Sequence, residues 1–193
     1  LLGMAKTFDK FDFLKLFTLI LFLFSFTKSD DFLFWTKLQR LNFTDFQGTV
    51  IKQDSTNGET YRLGTISTSI DVRIRKEVTS TIFSINAGME KKQSWIRNSG
   101  DSVTLRHLQG SFDICEIYAR KFRKQIKSVK SLEEANGLYG FLSSQKEKEQ
   151  VEYENANAHD KNGISKLWQD SINNRLKSLD SFQFSKIILK LTK

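Results

Sequence analysis

From Ile66 the chain alternates between apolar and polar residues. Ile66, Thr68, Ile70, Val72 and Ile74 fall on one side, and Ser67, Ser69, Asp71, Arg73 and Arg75 on the other. A period of two predicts a strand with one buried face. A second β-rich run over 78–85 ends in Asn86, Ala87 and Gly88, a combination that predicts a turn. Upstream, residues 32–36 form a short apolar stretch of strand character. Leu41, Phe43 and Phe46 then lead to Gly48 and a polar loop over 53–59.

After Asp101 the period changes. Leu105, Leu108, Phe112, Cys115, Ala119, Phe122, Ile126 and Val129 recur at intervals of three and four. That stripe predicts a long amphipathic helix over about 101–129, packed on the sheet and capped by Asp101 or Ser102. Gly137 and Gly140 are expected to interrupt the helical run, with a charged helix at about 141–154 after them. A loop over 155–163 carries His159. Ile164, Leu167, Trp168, Ile172, Leu176 and Leu179 predict a further amphipathic helix, and 182–191 has the character of a last strand. Strands first and helices later give an α+β class, with an antiparallel or mixed sheet from the N-terminal half and helices behind it.

The 193 residues suffice for one domain with a substantial core. A hydrophobic fraction of 39% and a charged fraction of 27% exclude wholesale disorder. The formal charge of +8 favours anionic surfaces. No nucleic-acid motif accompanies it, and stretches such as Lys146, Glu147, Lys148 and Glu149 interleave both signs, so nucleic acid is not an expected partner. The single cysteine, Cys115, builds no internal disulfide and no cysteine-based zinc site. On an apolar helical stripe it reads as a small buried hydrophobe.

The first 28 residues read as an address. Lysines at 6, 10 and 15 precede an apolar run over 16–26, broken only by Thr18 and Ser25. The run has signal-peptide length and falls short of the roughly 20 residues that span a bilayer. Ser25 and Thr27 are small enough for a cleavage site. The segment is therefore expected to serve as a signal peptide or, uncleaved, as a membrane tether through residues 13–27. Residues 29–193 are then expected to form the single exported domain, secreted or in the periplasm or cell envelope.

The long helix contains His107-Leu108-Gln109-Gly110-Ser111-Phe112-Asp113-Ile114-Cys115-Glu116-Ile117-Tyr118-Ala119-Arg120-Lys121. This stretch resembles the core of the bacterial family called domain of unknown function 922, described as secreted zinc-dependent proteases, whose motif reads roughly H-E-Q-G/L-H-F-D-I-x-E-x-Y-A-R-K. Leu41 to Gly48 resembles the family's L-x-W-x-D-F-x-G segment. Ser94 and Trp95 resemble its Ser-Trp pair, and Tyr153, His159 and Trp168 its later Y…H…W pattern. The resemblance implies a bacterial, zincin-like metalloprotease scaffold over about 35–176. It also implies zinc at His107 and, as a third-ligand candidate, His159.

The departures fall on the chemistry. In an HExxH helix two histidines four residues apart grip zinc and the glutamate between them polarises the bound water. Here Leu108 stands at the general-base position and Ser111 at the second histidine position. Neither leucine nor serine performs those tasks, so no catalytic residue is expected and no resident cofactor. Asp113 and Glu116 lie six and nine residues from His107, off its helical face. With Gln109, Phe112, Tyr118 and Arg120 they are expected to be structural, the polar ones holding the helix through polar contacts. The leading reading is a non-catalytic interaction module that takes an unknown peptide, cell-wall fragment or envelope protein, with an extended strand along a sheet edge as one mode. The rival reading is an active zinc peptidase with a rearranged site through His107 and His159.

Overall fold

The computed structural model describes residues 31–50 and 63–190. The expected signal or tether segment and the 53–59 loop lie outside them. The described chain is α+β, as its pattern predicts. Six strands are formed by Phe32–Phe34 (β1), Gly64–Thr65 (β2), Thr68–Lys76 (β3), Thr81–Glu90 (β4), Trp95–Ile96 (β5) and Lys186–Leu189 (β6). Three helices are formed by Ser102–Gln125 (α1), Leu132–Asn157 (α2) and Lys166–Ser178 (α3). None of these helices is long and apolar enough to cross a membrane.

β4 organises the main sheet. β3 pairs antiparallel along one side of it, from Thr68 opposite Met89 to Lys76 opposite Thr81. On its other side β1 takes the C-terminal end and β6 the N-terminal end, both antiparallel. The sheet is therefore not drawn from the N-terminal half alone, because the last strand completes it. β2 and β5 make a separate two-stranded ladder. The helices cover one face. Phe83, Ile85, Ala87 and Met89 project from β4 into the core beside Ile70, and meet Phe112, Cys115, Ala119 and Phe122 of α1 there.

The expected turn at Asn86, Ala87 and Gly88 is instead the middle of β4. The chain reverses earlier, where the Glu77 N–H donates to the Ser80 carbonyl at 2.8 Å. Gly88 serves packing rather than turning: a Cβ there would lie 2.1 Å from the Phe32 ring. The expected break at Gly137 and Gly140 is also absent. Both sit inside α2, where an added Cβ would meet nothing within 4 Å. Glycine in an exposed helical position costs only about 1 kcal/mol. A 26-residue helix capped by the Ser131 side chain absorbs that cost. α1 starts where Asp101 predicts, its carboxylate accepting the Val103 and Thr104 N–H groups, and gives way to a 3₁₀ turn, Ile126–Ser128.

The hydrogen-bond phase of β3 follows from its ends. The Ser67 carbonyl accepts the Glu90 N–H, and Glu77 pairs with Ser80. Both pairs are in the β3–β4 register. Antiparallel ladders alternate, so odd-numbered residues of β3 exchange bonds with β4, and the peptide groups of Thr68, Ile70, Val72, Ile74 and Lys76 point to the opposite edge. Lys146 of α2 donates to the Thr68 carbonyl at 2.6 Å and closes one end of that edge. Among the described residues no strand pairs with the remainder.

α1 is buried on nearly every side, and one of its faces is polar. Gln109, Asp113, Glu116, Arg120 and Arg123 recur at intervals of four and three, so they share a face. Glu116 accepts from Arg120 Nε at 2.8 Å and from Arg123 at 2.9 and 3.2 Å. Arg120 also donates to the Leu176 carbonyl at 2.8 Å and lies over the Trp35 ring. Arg123 also donates to the carbonyls of Ile85 and Phe182, both at 2.9 Å. Glu116→Gln removes the only buried counter-charge of Arg120 and Arg123 among the described residues, leaving Arg120 with the half-exposed Asp180 carboxylate at 3.5 Å. The expected loss is about 3–5 kcal/mol in urea unfolding, whereas Arg40→Ala, on an arm 65% exposed, is expected to cost no more than about 1 kcal/mol.

Candidate functional site

His107 lies on α1, partly buried. Its Nδ1 is 3.0 Å from the Gly163 carbonyl. A carbonyl only accepts, so Nδ1 carries the proton and Nε2 keeps its lone pair when the ring is neutral. The ring stacks on Tyr153, centroids 5.1 Å apart and planes 23° from parallel. Tyr153 in turn donates its hydroxyl to the His107 carbonyl at 2.7 Å and meets the Trp168 ring edge-on. Burial pushes the Tyr153 phenol up, with the negative charges of Asp113, Glu154 and Asp160 adding to it, so the hydroxyl stays a donor.

Leu108 and Ser111 are both taken up in packing. Leu108 is 4% exposed and lies beneath Gly64 of β2, where an added Cβ would come within 3.1 Å of its Cδ1. Ser111 is 2% exposed. Its carbonyl and hydroxyl both accept from the Gln150 amide, at 2.9 and 3.2 Å, and the same amide reaches Thr68 Oγ1. α2 therefore covers the helical face on which a second ligand would stand. His159 is exposed on the loop after α2. Among the described residues no group of three or more His, Cys, Asp and Glu side chains is placed to hold a metal ion.

The remaining residues of the motif make specific contacts. Gln109 accepts the Leu41 N–H at 2.8 Å and donates to Asp113 at 2.8 Å. Asp113 also accepts from the Trp35 indole at 2.7 Å and from Arg40 at 3.2 Å. Phe112 is in the core. Glu116 and Arg120 belong to the buried ion cluster of α1. Tyr118 donates to Glu149 at 2.8 Å, and Glu149 is held by both terminal nitrogens of Arg175. Gly48 and Ser94 also come together: the Gly48 N–H donates to the Ser94 carbonyl at 2.8 Å, and a Cβ on Gly48 would lie 2.8 Å from that oxygen. Cys115 is buried, its thiol donating to the Ser69 carbonyl and pushed up to about 11, chiefly by burial. It is a protonated core residue and no nucleophile.

Two open spaces adjoin this framework. A polar cleft of about 370 Å³ lies between α2 and α3, lined by Tyr118, Glu149, Trp168 and Arg175 among others. A groove of about 310 Å³ runs along α1 past Arg40, Leu41, Arg106 and Gln109. His107 lines neither. The sequence reading missed Gln150 and Arg123. The four-and-three spacing from Gln109 to Arg123 was a signal available for Arg123. Gln150 gave none, since nothing in its neighbourhood marks it as facing Ser111.

Gly110 and Gly163 admit no side chain. A Cβ on Gly110 would lie 2.2 Å from the Tyr153 hydroxyl, and one on Gly163 would lie 2.0 Å from the Val103 carbonyl at a φ of +83°. Gly110→Ala is expected to destabilise the fold by about 1–3 kcal/mol and to weaken the His107–Tyr153 stack, read by chemical denaturation and by the imidazole proton resonances. Burial alone would raise the Glu149 carboxyl. Hydrogen bonds from Arg175 and Tyr118, with the charges of Arg175 and Lys121, outweigh it and hold the group below its ordinary value of 4.5. A depressed folded-state value stabilises the fold above the unfolded value and loses that stabilisation as pH falls through the folded one. Below pH of about 4.5 the native protein is expected to lose stability more steeply than Glu149→Gln in denaturation series across pH.

No family model matches the chain, and neither a curated protein nor a solved structure does.

Proposed function

We propose that this protein is a non-catalytic binding module of the bacterial cell envelope, built on a zinc-metalloprotease-like scaffold and taking an extended polypeptide segment along the open edge of β3. The observation that carries the non-catalytic part is the filling of the His107 face. Leu108 packs under β2, and Ser111 is sealed by Gln150. The carboxylates of α1 are already committed, Asp113 to Trp35, Arg40 and Gln109, and Glu116 to two arginines. A second ligand at 111 would need α2 to move away, and a water-activating base at 108 would need β2 to do so. The outward peptide groups of Ile70 to Lys76 support the binding part, since an extended segment pairs with such groups through its own backbone. Export rests on the apolar run over 16–26 and the lysines before it.

One observation favours the rival, an active zinc peptidase through His107 and His159. A histidine whose Nδ1–H is held by a backbone carbonyl presents Nε2 in the manner of a zinc ligand. Elemental mass spectrometry of the purified full chain separates the two. The binding-module reading expects zinc far below one ion per chain and no chelator-sensitive peptidase activity. Near-stoichiometric zinc and peptidase activity, both lost in His107→Ala, would replace it with the rival. For the edge, Ile74→Pro removes an outward N–H and leaves the β3–β4 ladder bonds in place. Capture of extended peptides from a display library is expected in the native chain and not in this variant.

A further inference from the structure

β3 has nine residues, Thr68–Lys76, and Val72 is its midpoint. Its outward peptide groups belong to the even-numbered residues, so a second strand pairs with it through residues of the same parity. A second copy of β3, related by a two-fold axis at Val72, meets that condition from Ile70 to Ile74, with the Lys146 contact at Thr68 marking each end. Val72 then faces Val72 of the second copy, Ile70 faces Ile74, and Thr68 faces Lys76. On the outer face of the sheet, in the close non-hydrogen-bonded pairs, Asp71 faces Arg73 twice.

The charges select this register. Asp71 and Arg73 already share one face, with Arg73 Nε 3.1 Å from the carboxylate. The two-fold at Val72 places two such pairs side by side with signs alternating, and opposite charges across strands are favourable. A two-fold at Ile74 would instead set Arg73 against Arg75 and Asp71 against Glu77, both like-charged. A two-fold at Ile70 would centre the ladder beside the Thr68 carbonyl, which Lys146 occupies, and would set Asp71 against Ser69 with no opposite charge. The strand is also long and partly apolar, with Ile74 44% exposed, the kind of edge that proteins cover or pair.

We propose that the segment paired by the open edge is β3 of a second copy, so that two chains join their sheets antiparallel about Val72 and the Asp71–Arg73 charges lock the register. This rests on the edge-binding reading above and names its partner. Sedimentation velocity on the full chain is expected to give a concentration-dependent dimer. Asp71→Arg and Arg73→Asp each replace two attractive cross-strand pairs by two repulsive ones, so each variant alone is expected to raise the dimer dissociation constant at least about tenfold. An equimolar mixture of the two restores opposite charges at both contacts and is expected to dimerise like the native chain. Val72→Cys places two thiols on the axis, with Cα atoms about 5.5 Å apart. It is expected to cross-link chains under mild oxidant, while native Cys115 stays buried. A monomeric native chain, a mixture no tighter than its components, or failure of Val72→Cys to cross-link would overturn the proposal. A monomeric chain that captures extended peptides, with capture lost in Ile74→Pro, would overturn it and leave the edge-binding reading standing.

Discussion

α1 carries a polar seam through the core, and much of the fold is arranged to satisfy it. Gln109, Asp113, Glu116, Arg120 and Arg123 occupy one face of a helix whose other faces are packed. Burying a charge without a partner is costly, and burying it with imperfect partners is scarcely better. Each group on the seam is therefore met by a different part of the chain. The Trp35–Leu41 segment supplies an indole, a guanidinium and a backbone N–H. The end of α3 and the turn after it supply the carbonyls of Leu176 and Phe182, and β4 supplies that of Ile85. These partners are far apart in sequence. The seam thus fixes where the first and last parts of the described chain settle, which an apolar core would specify less sharply.

The opposite flank of α1 is settled by shape. Gly110 lets the Tyr153 hydroxyl reach the backbone of α1 at the turn that carries His107. Gly163 lets the loop after α2 close on the same turn and offer its carbonyl to the imidazole. With Gln150 over Ser111, three independent contacts hold α2 and its following loop against the helix. In an HExxH helix that flank stays open for metal and water. Here Leu108 packs against β2 and Ser111 against Gln150, so the flank is filled. The imidazole holds a backbone carbonyl through Nδ1 and a stacked ring, and among the described residues no group of metal-ligating side chains gathers beside it.

The sequence reveals much of this through periodicity. The alternation from Ile66 and the three-four stripe from Leu105 place β3 and α1, and Asp101 marks the helix start within a residue. Where local signals mislead, tertiary context explains it. Asn86, Ala87 and Gly88 read as a turn, yet the aromatic ring of Phe32 needs a residue without a side chain in the central strand. Gly137 and Gly140 read as a break, yet α2 is long and capped, and their positions face open space. Leu167 reads as part of the α3 stripe but is 80% exposed, while Ile172 carries the packing. The motif residues were legible as a set. Their partners were not, because hydrogen bonds such as Gln150 to Ser111 join residues whose closeness exists only after α2 folds back on α1.

The sheet has one consequence that reaches beyond the single chain. β4 has two edges, and β1 and β6 divide one between them, so the two ends of the described chain are spent closing the same side. Among the described residues no strand closes the β3 side, where Lys146 and Gln150 of α2 meet Thr68. An edge whose peptide groups point outward from Ile70 to Lys76 is an aggregation hazard unless it is paired, covered or made selective by charge. Asp71, Arg73, Arg75 and Glu77 lie along one face of that edge, with signs that favour some registers and oppose others. Such a pattern limits which strands can join. Selectivity at an edge is a binding property, so charges that guard the sheet against indiscriminate pairing would also choose among strands that could join it.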